Sequence, residues 1–304
     1  SIMATTSTTT PHTILSTSNV QLETLVHQAQ GHNNTTEPTR VLIFVHPWGK
    51  LGGSWHNTNG LAQLCSRQHG YTSIVFNLRG VGNSTGNATC CGHSEVNDIV
   101  SVAEWAIQQY IGADIWLVAQ SAGAPSAGTA VKRLGDQCRG AIFIGYTFGC
   151  ASAVLFGRHF KHAASFNPTQ RALFLVGTRD CFTTPKTMVR AAKRNRYPST
   201  VVLFDGVGHF EIEASHFDGI VSSLAVQFIQ QNTAQGNGTA AMEQVLAEHR
   251  QSGKVMQFGA TEETTCCCCP PCSYCDTCTC CVMWCLLTIA VVVVLIVLSS
   301  QNLI

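Results

Sequence analysis

Six short runs of consecutive apolar residues recur through the middle of the chain, at 41–46 (VLIFVH), 72–77, 115–119, 141–146, 172–177 and 200–204. Each is rich in β-branched and aromatic side chains and too short for a helix, the pattern of a strand buried on both faces. Between and after them, residues 55–68, 94–110, 121–134, 186–194 and 215–231 mix apolar and polar positions at helical spacing. Strand and helix in alternation predict an α/β fold, a mostly parallel central sheet with helices on both faces. Ligands in such sheets bind beyond the carboxyl ends of the strands. Residues 13–30 differ: they alternate apolar and polar in two pieces around 17–19, which predicts an antiparallel hairpin. Residues 1–12, mostly Ser and Thr, are expected to be disordered. About two dozen residues separate the runs at 141 and 172, with one helical segment at 151–162. That leaves room for a minimal cap only, so the site should be open.

Composition changes this picture mainly at the C-terminal end. A net charge of +1 with 12% charged residues and no basic stripe argues against a nucleic-acid partner. Of sixteen cysteines, ten fall between Cys266 and Cys285, leaving Cys65, Cys90, Cys91, Cys138, Cys150 and Cys181 scattered over the rest. Scattered thiols in a core-forming domain point to a reducing compartment rather than a disulfide framework. The opening SIMATTSTTTPH has neither a basic region nor an apolar run, so no secretory signal is expected. The domain predicted from these patterns covers 13–232 and is followed by a polar linker at 233–265, with a short helical stretch near 240–251.

The polar residues that matter cluster where the strands end. In DIWLVAQSAGAPSA (114–127) the strand runs into Ser121 amid Ala119, Ala122, Gly123 and Ala124, with a helix-compatible segment following. That is the form of a nucleophile elbow, a tight strand–turn–helix whose neighbours must be small. Ala119 stands where the usual pattern has its first glycine. A serine capping an ordinary helix would read alike over these five residues. The rest of the chain favours the elbow. A nucleophilic serine needs a base, and the base needs an acid to orient it. Asp180 follows the run at 172–177, and His209 follows the run at 200–204 in DGVGHF. Asp205 precedes His209 in the same turn and cannot easily reach around it. His159, His162 and His216 lie on helical segments, and no HExxH or similar zinc pattern occurs. The loop HPWGKLGG (46–53) is either a plain glycine-rich turn or the source of an oxyanion donor. Because Pro47 has no N–H, the donors would be the backbone amides of Trp48 and Ala122. His46 would shape that loop. In NLRGVGNSTG (77–86), Arg79 is expected to bind Glu95 or Asp98; the glycine spacing fits neither phosphate fingerprint.

Residues 41–230 resemble the α/β-hydrolase superfamily, in particular its small, nearly capless branch with plant-type members. The resemblance rests on His46-Pro47 with Gly52-Gly53, on Asn77 to Ser84, on Gly177-Thr178-Arg179-Asp180 and on Gly206-Val207-Gly208-His209-Phe210. The segments Gly145 to Gly149 and Leu155 to His159 add to it. It implies serine-dependent hydrolysis of an ester, thioester or amide without a cofactor or metal. It also implies the order Ser121, Asp180, His209 for the triad. A catalytically weak hydrolase fold serving as a membrane adaptor is the alternative.

Residues 282–298 (VMWCLLTIAVVVVLIVL) carry no charge. At ~1.5 Å per residue they make a near-minimal helical span of a hydrocarbon core about 30 Å thick. A single-pass C-terminal anchor is expected, with the hydrolase domain facing the cytosol and a small-molecule or lipid acyl substrate within reach. Beside it lie Cys266, Cys267, Cys268, Cys269, Cys272, Cys275, Cys278, Cys280 and Cys281. Their position against a membrane span favours S-palmitoylation. The two-residue spacing from Cys269 to Cys278 also admits zinc or an iron–sulfur cluster, and an inert or disulfide role is the third reading.

Overall fold

The structure is a computed structural model describing residues 7–29, 39–89, 91–148, 166–193, 197–231 and 256–258. Among the described residues, nine strands form one sheet in the order β1-β2-β4-β3-β5-β6-β7-β8-β9. The strands are β1 (Ser7–Leu15), β2 (Gln21–Ala29), β3 (Arg40–Val45), β4 (Thr72–Phe76), β5 (Asp114–Gln120), β6 (Gly140–Ile144), β7 (Arg171–Arg179), β8 (Ser199–Gly208) and β9 (Met256–Phe258). β3 to β8 are parallel to one another, while β1, β2 and β9 join the two edges antiparallel. The helices are α1 (His56–His69), α2 (His93–Gln109), α3 (Gly123–Leu134), α4 (Pro185–Lys193), α5 (His209–Ile212) and α6 (Asp218–Gln230).

The predicted parallel sheet is present because its strands are buried on both sides. In β3, Val41, Ile43 and Val45 pack with α2 and α3 residues such as Val102 and Ala127. The alternate residues Leu42 and Phe44 pack with Leu61 of α1 and Leu224 and Phe228 of α6. The two-residue period of a strand thus feeds two separate cores, and a fully buried Leu, Ile or Phe contributes about 1.5–3 kcal/mol.

Two expectations need correction. β1 begins at Ser7, inside the stretch 1–12 expected to be disordered, and pairs with β2 from Ser7↔Ala29 to Leu15↔Gln21. Its Ser and Thr side chains are largely exposed, so the strand forms through backbone pairing and β-branched preference with little apolar signal. Pro11 is tolerated because β1 is an edge. In the region expected to be a linker, β9 pairs with β8 through Val202↔Phe258 and Phe204↔Met256. The helical segments expected at 151–162 and 240–251 lie outside the described residues. So do the cysteine-rich stretch and the span at 282–298. Among the described residues no helix is long and apolar enough to cross a membrane.

Candidate active site

The elbow is formed as its small residues dictate. Ser121, directly after β5, has φ +46°, a left-handed conformation that costs a non-glycine residue roughly 1–3 kcal/mol. Its N–H donates to the Ile144 carbonyl at 2.9 Å and its carbonyl accepts from Ala124 N–H at 3.0 Å, which fixes the turn between β6 and α3. A Cβ on Gly123 would lie 2.3 Å from the His46 carbonyl oxygen, so only glycine lets the elbow press against the loop after β3. Ala119 is fully buried, paired with Val45 and Phe143, and the turn forms with its methyl in place.

The three side chains singled out from strand ends meet here. Ser121 Oγ lies 2.7 Å from His209 Nε2, and His209 Nδ1 lies 2.7 Å from Asp180 Oδ2. A carboxylate can only accept, so Nδ1 carries the proton and Nε2 accepts from the Ser121 hydroxyl. The other Asp180 oxygen, Oδ1, accepts the backbone N–H groups of Phe182 at 2.7 Å and Thr183 at 2.8 Å. Two rigid amides therefore aim Oδ2 at the imidazole. Close approach of the ends of β7 and β8 makes this possible: a Cβ on Gly177 would meet the Val207 carbonyl oxygen at 2.1 Å. His209 and Asp180 are buried, and the imidazole packs edge-on to Phe182 with ring centroids 4.5 Å apart. Phe210, 71% exposed, extends this aromatic rim into solvent. Asp205 instead accepts the Thr178 hydroxyl at 3.1 Å, and His216 sits on the turn leading into α6 with its ring 4.5 Å from that of Phe217. His159 and His162 lie outside the described residues.

Both residues expected to supply oxyanion donors border the elbow. Ala122 directly follows Ser121 and leads into α3, and Trp48 is buried in the loop that abuts Gly123. His46 shapes that loop: its Nε2 accepts Leu78 N–H at 3.0 Å and its Nδ1–H donates to the Pro47 carbonyl at 2.5 Å. Arg79 takes Asp98 rather than Glu95, through Nε at 2.9 Å, Nη2 at 2.6 Å and its own N–H at 3.1 Å. Glu95 accepts from Thr89 N–H and its hydroxyl. The glycine-rich loop after β4 is latched to the hairpin by Asn77 and Asn83, which donate to Glu23. Its polar groups are thus spent on protein partners. No group of three His, Cys, Asp or Glu residues suited to a metal occurs among the described residues. The cysteines expected as acylation sites, whose spacing also admits a metal, lie outside them.

One residue of the site escaped the sequence reading. Glu213 follows α5, with Oε1 3.6 Å from His209 Nε2. The available signal was its spacing, four residues after the histidine, which places both on one face of a helical turn.

Comparison with known proteins agrees with this architecture. A family model described as the alpha/beta hydrolase fold matches residues 40–170. No curated protein sequence matches the chain. Among solved structures, an alpha-beta serine hydrolase homologue from Coxiella burnetii superposes with TM-score 0.58 at 23% identity, covering 70% of this chain and 95% of its own. A lidless a/b serine hydrolase from Xanthomonas campestris gives TM-score 0.58 at 23% identity, with 74% and 96% covered. The Pyrococcus furiosus esterase Pf2001 gives TM-score 0.57 at 15% identity, with 74% and 91% covered. From strand order, elbow and these likenesses together, the chain has the α/β-hydrolase fold.

Proposed function

We propose that this protein is a serine hydrolase that cleaves a carboxylic ester, or a thioester or amide, through an acyl-enzyme. The observation that carries the reading is the continuous hydrogen-bonded path from Ser121 through His209 to Asp180, with the serine lifted on a left-handed turn. In the first half-reaction Ser121 Oγ bonds to the substrate carbonyl carbon while its proton moves to His209 Nε2. The carbonyl π electrons move onto oxygen, where the amides of Ala122 and Trp48 receive the charge. Asp180 stabilises the imidazolium without taking its proton. The tetrahedral adduct collapses, the bond to the leaving group breaks, and that group takes the proton from Nε2. Water then repeats the sequence in reverse roles to release the acid and free Ser121. Phe182 and Phe210 offer an apolar rim beside the base, suited to an acyl chain or ring.

The test is covalent labelling by a fluorophosphonate. The wild type should react and Ser121→Ala should not. An unlabelled wild type that binds membranes and partners would favour the adaptor reading. We further propose that residues 282–298 anchor the domain to a membrane, facing the cytosol, with Cys266 to Cys281 as acylation sites. Their uncharged sequence and the adjoining thiols support this. Removing residues 266–304 should then move the protein to the soluble fraction. A truncated chain that still sediments with membranes would refute the anchor, and hydroxylamine-sensitive acyl exchange on the tail reports the thioesters.

A further inference from the structure

Glu213 gives the catalytic histidine a second carboxyl on the side opposite Asp180. Asp180 holds Nδ1 at 2.7 Å, a full hydrogen bond, whereas Glu213 Oε1 stands 3.6 Å from Nε2. That is too long for a hydrogen bond but short for an interaction between charges. Glu213 Oε1 is buried and has no hydrogen-bond partner among the described residues, with the Ser121 hydroxyl, directed at His209, beside it. Gly145 closes the third side: a Cβ there would come within 3.1 Å of His209 Cε1 and 3.4 Å of Glu213 Oε1. The glycine, at φ +63°, thus lets imidazole and carboxyl share one tight compartment.

We propose that Glu213 is a positioning residue that acts through His209: ionised, it stabilises the imidazolium formed when Ser121 attacks, and at 3.6 Å it leaves the Nε2 proton to the leaving group. This rests on the serine-hydrolase reading. The bonding changes are those given above, with Glu213 gaining and losing nothing during turnover. The titratable groups facing it are His209 on the preceding turn and Asp180 from the end of β7; Ser121 faces it from the elbow. Burial pushes its carboxyl up to about 7, against the pull of His209 and the Ser121 hydroxyl and with the push of Asp180. The supporting charge is therefore present above neutral pH and absent below it.

The experiment compares wild type with Glu213→Gln, which keeps shape and removes the ionisation. Fluorophosphonate labelling rates should differ about tenfold above pH 8, equivalent to one pKa unit of interaction. The ratio should fall toward one below pH 6, where wild-type Glu213 is itself neutral. Glu213→Asp should retain a smaller pH-dependent ratio. A ratio that does not change with pH would mean a merely structural side chain and would overturn the proposal. Thermal melting supplies a readout independent of activity. An acid whose folded pKa is raised loses stability as pH climbs from its unfolded value through its folded one. Glu213→Gln should then melt several degrees above wild type at pH 8 and match it near pH 4, below the unfolded carboxyl value of ~4.3. Melting curves that differ equally at both pH values would likewise overturn it. If wild type is unlabelled at every pH, the hydrolase reading falls, and this role for Glu213 with it, whatever the melting curves show.

Discussion

Two buried histidines stand at carboxyl ends of parallel strands, and only one is equipped to move a proton. His46, after β3, spends both ring nitrogens on backbone, accepting from Leu78 N–H and donating to the Pro47 carbonyl. Neither partner can exchange a proton near neutral pH, and burial pushes the His46 pKa down to about 4. His209, after β8, meets a carboxylate on one side and a hydroxyl on the other. Burial and strand-end position are common to both. What separates a loop brace from the base we propose is the chemistry of the two groups each ring touches.

Substitution is the sharpest way to break that comparison. His209→Ala should lower fluorophosphonate labelling about 10⁴-fold or more, as loss of a triad base does. Asp180→Asn should come next, at about 10³–10⁴-fold, because an amide no longer specifies the Nδ1–H tautomer. His46→Ala should leave labelling within about tenfold of wild type and instead lower stability by about 2–4 kcal/mol. It strands the buried Leu78 N–H and opens a cavity beneath the loop. Urea melts read that loss, and an H46A protein as unreactive as H209A would erase the distinction. The smallest effect is on acid stability. With a folded pKa near 4 against an unfolded value of ~6.5, the unfolded chain takes the proton first. The stabilisation that depends on neutral His46 is complete above pH 6.5 and drains away as pH falls toward 4. Between pH 7 and pH 5 that amounts to about 2 kcal/mol, and His46→Gln should flatten this part of the stability profile.

The same contrast explains what could be read in advance. β3 to β8 were legible because both faces of each strand are buried, which writes continuous apolar runs into the chain. Ser121, Asp180 and His209 were legible because each sits just past such a run. The first residues of β1 were not: Thr8, Thr9 and Thr10 are exposed, and a strand held by main-chain pairing leaves no hydrophobic period. β9 is three residues long and leaves the same kind of silence. Arg79 had two candidate carboxylates, and only packing could choose Asp98, which α2 presents fully buried under the guanidinium. Glu213 was missed because a glutamate four residues after a histidine is ordinary on any helix. Its meaning comes from the compartment that Gly145, Ser121 and His209 close around it.

β9 also gives the chain a direction at its last described residues. It runs against β8, from Met256 beside Phe204 to Phe258 beside Val202. At Phe258 the polypeptide is therefore heading for the rim where the parallel strands start, while Ser121, Asp180 and His209 occupy the rim where they finish. The last described strand thus points the chain away from the rim that holds the three polar side chains.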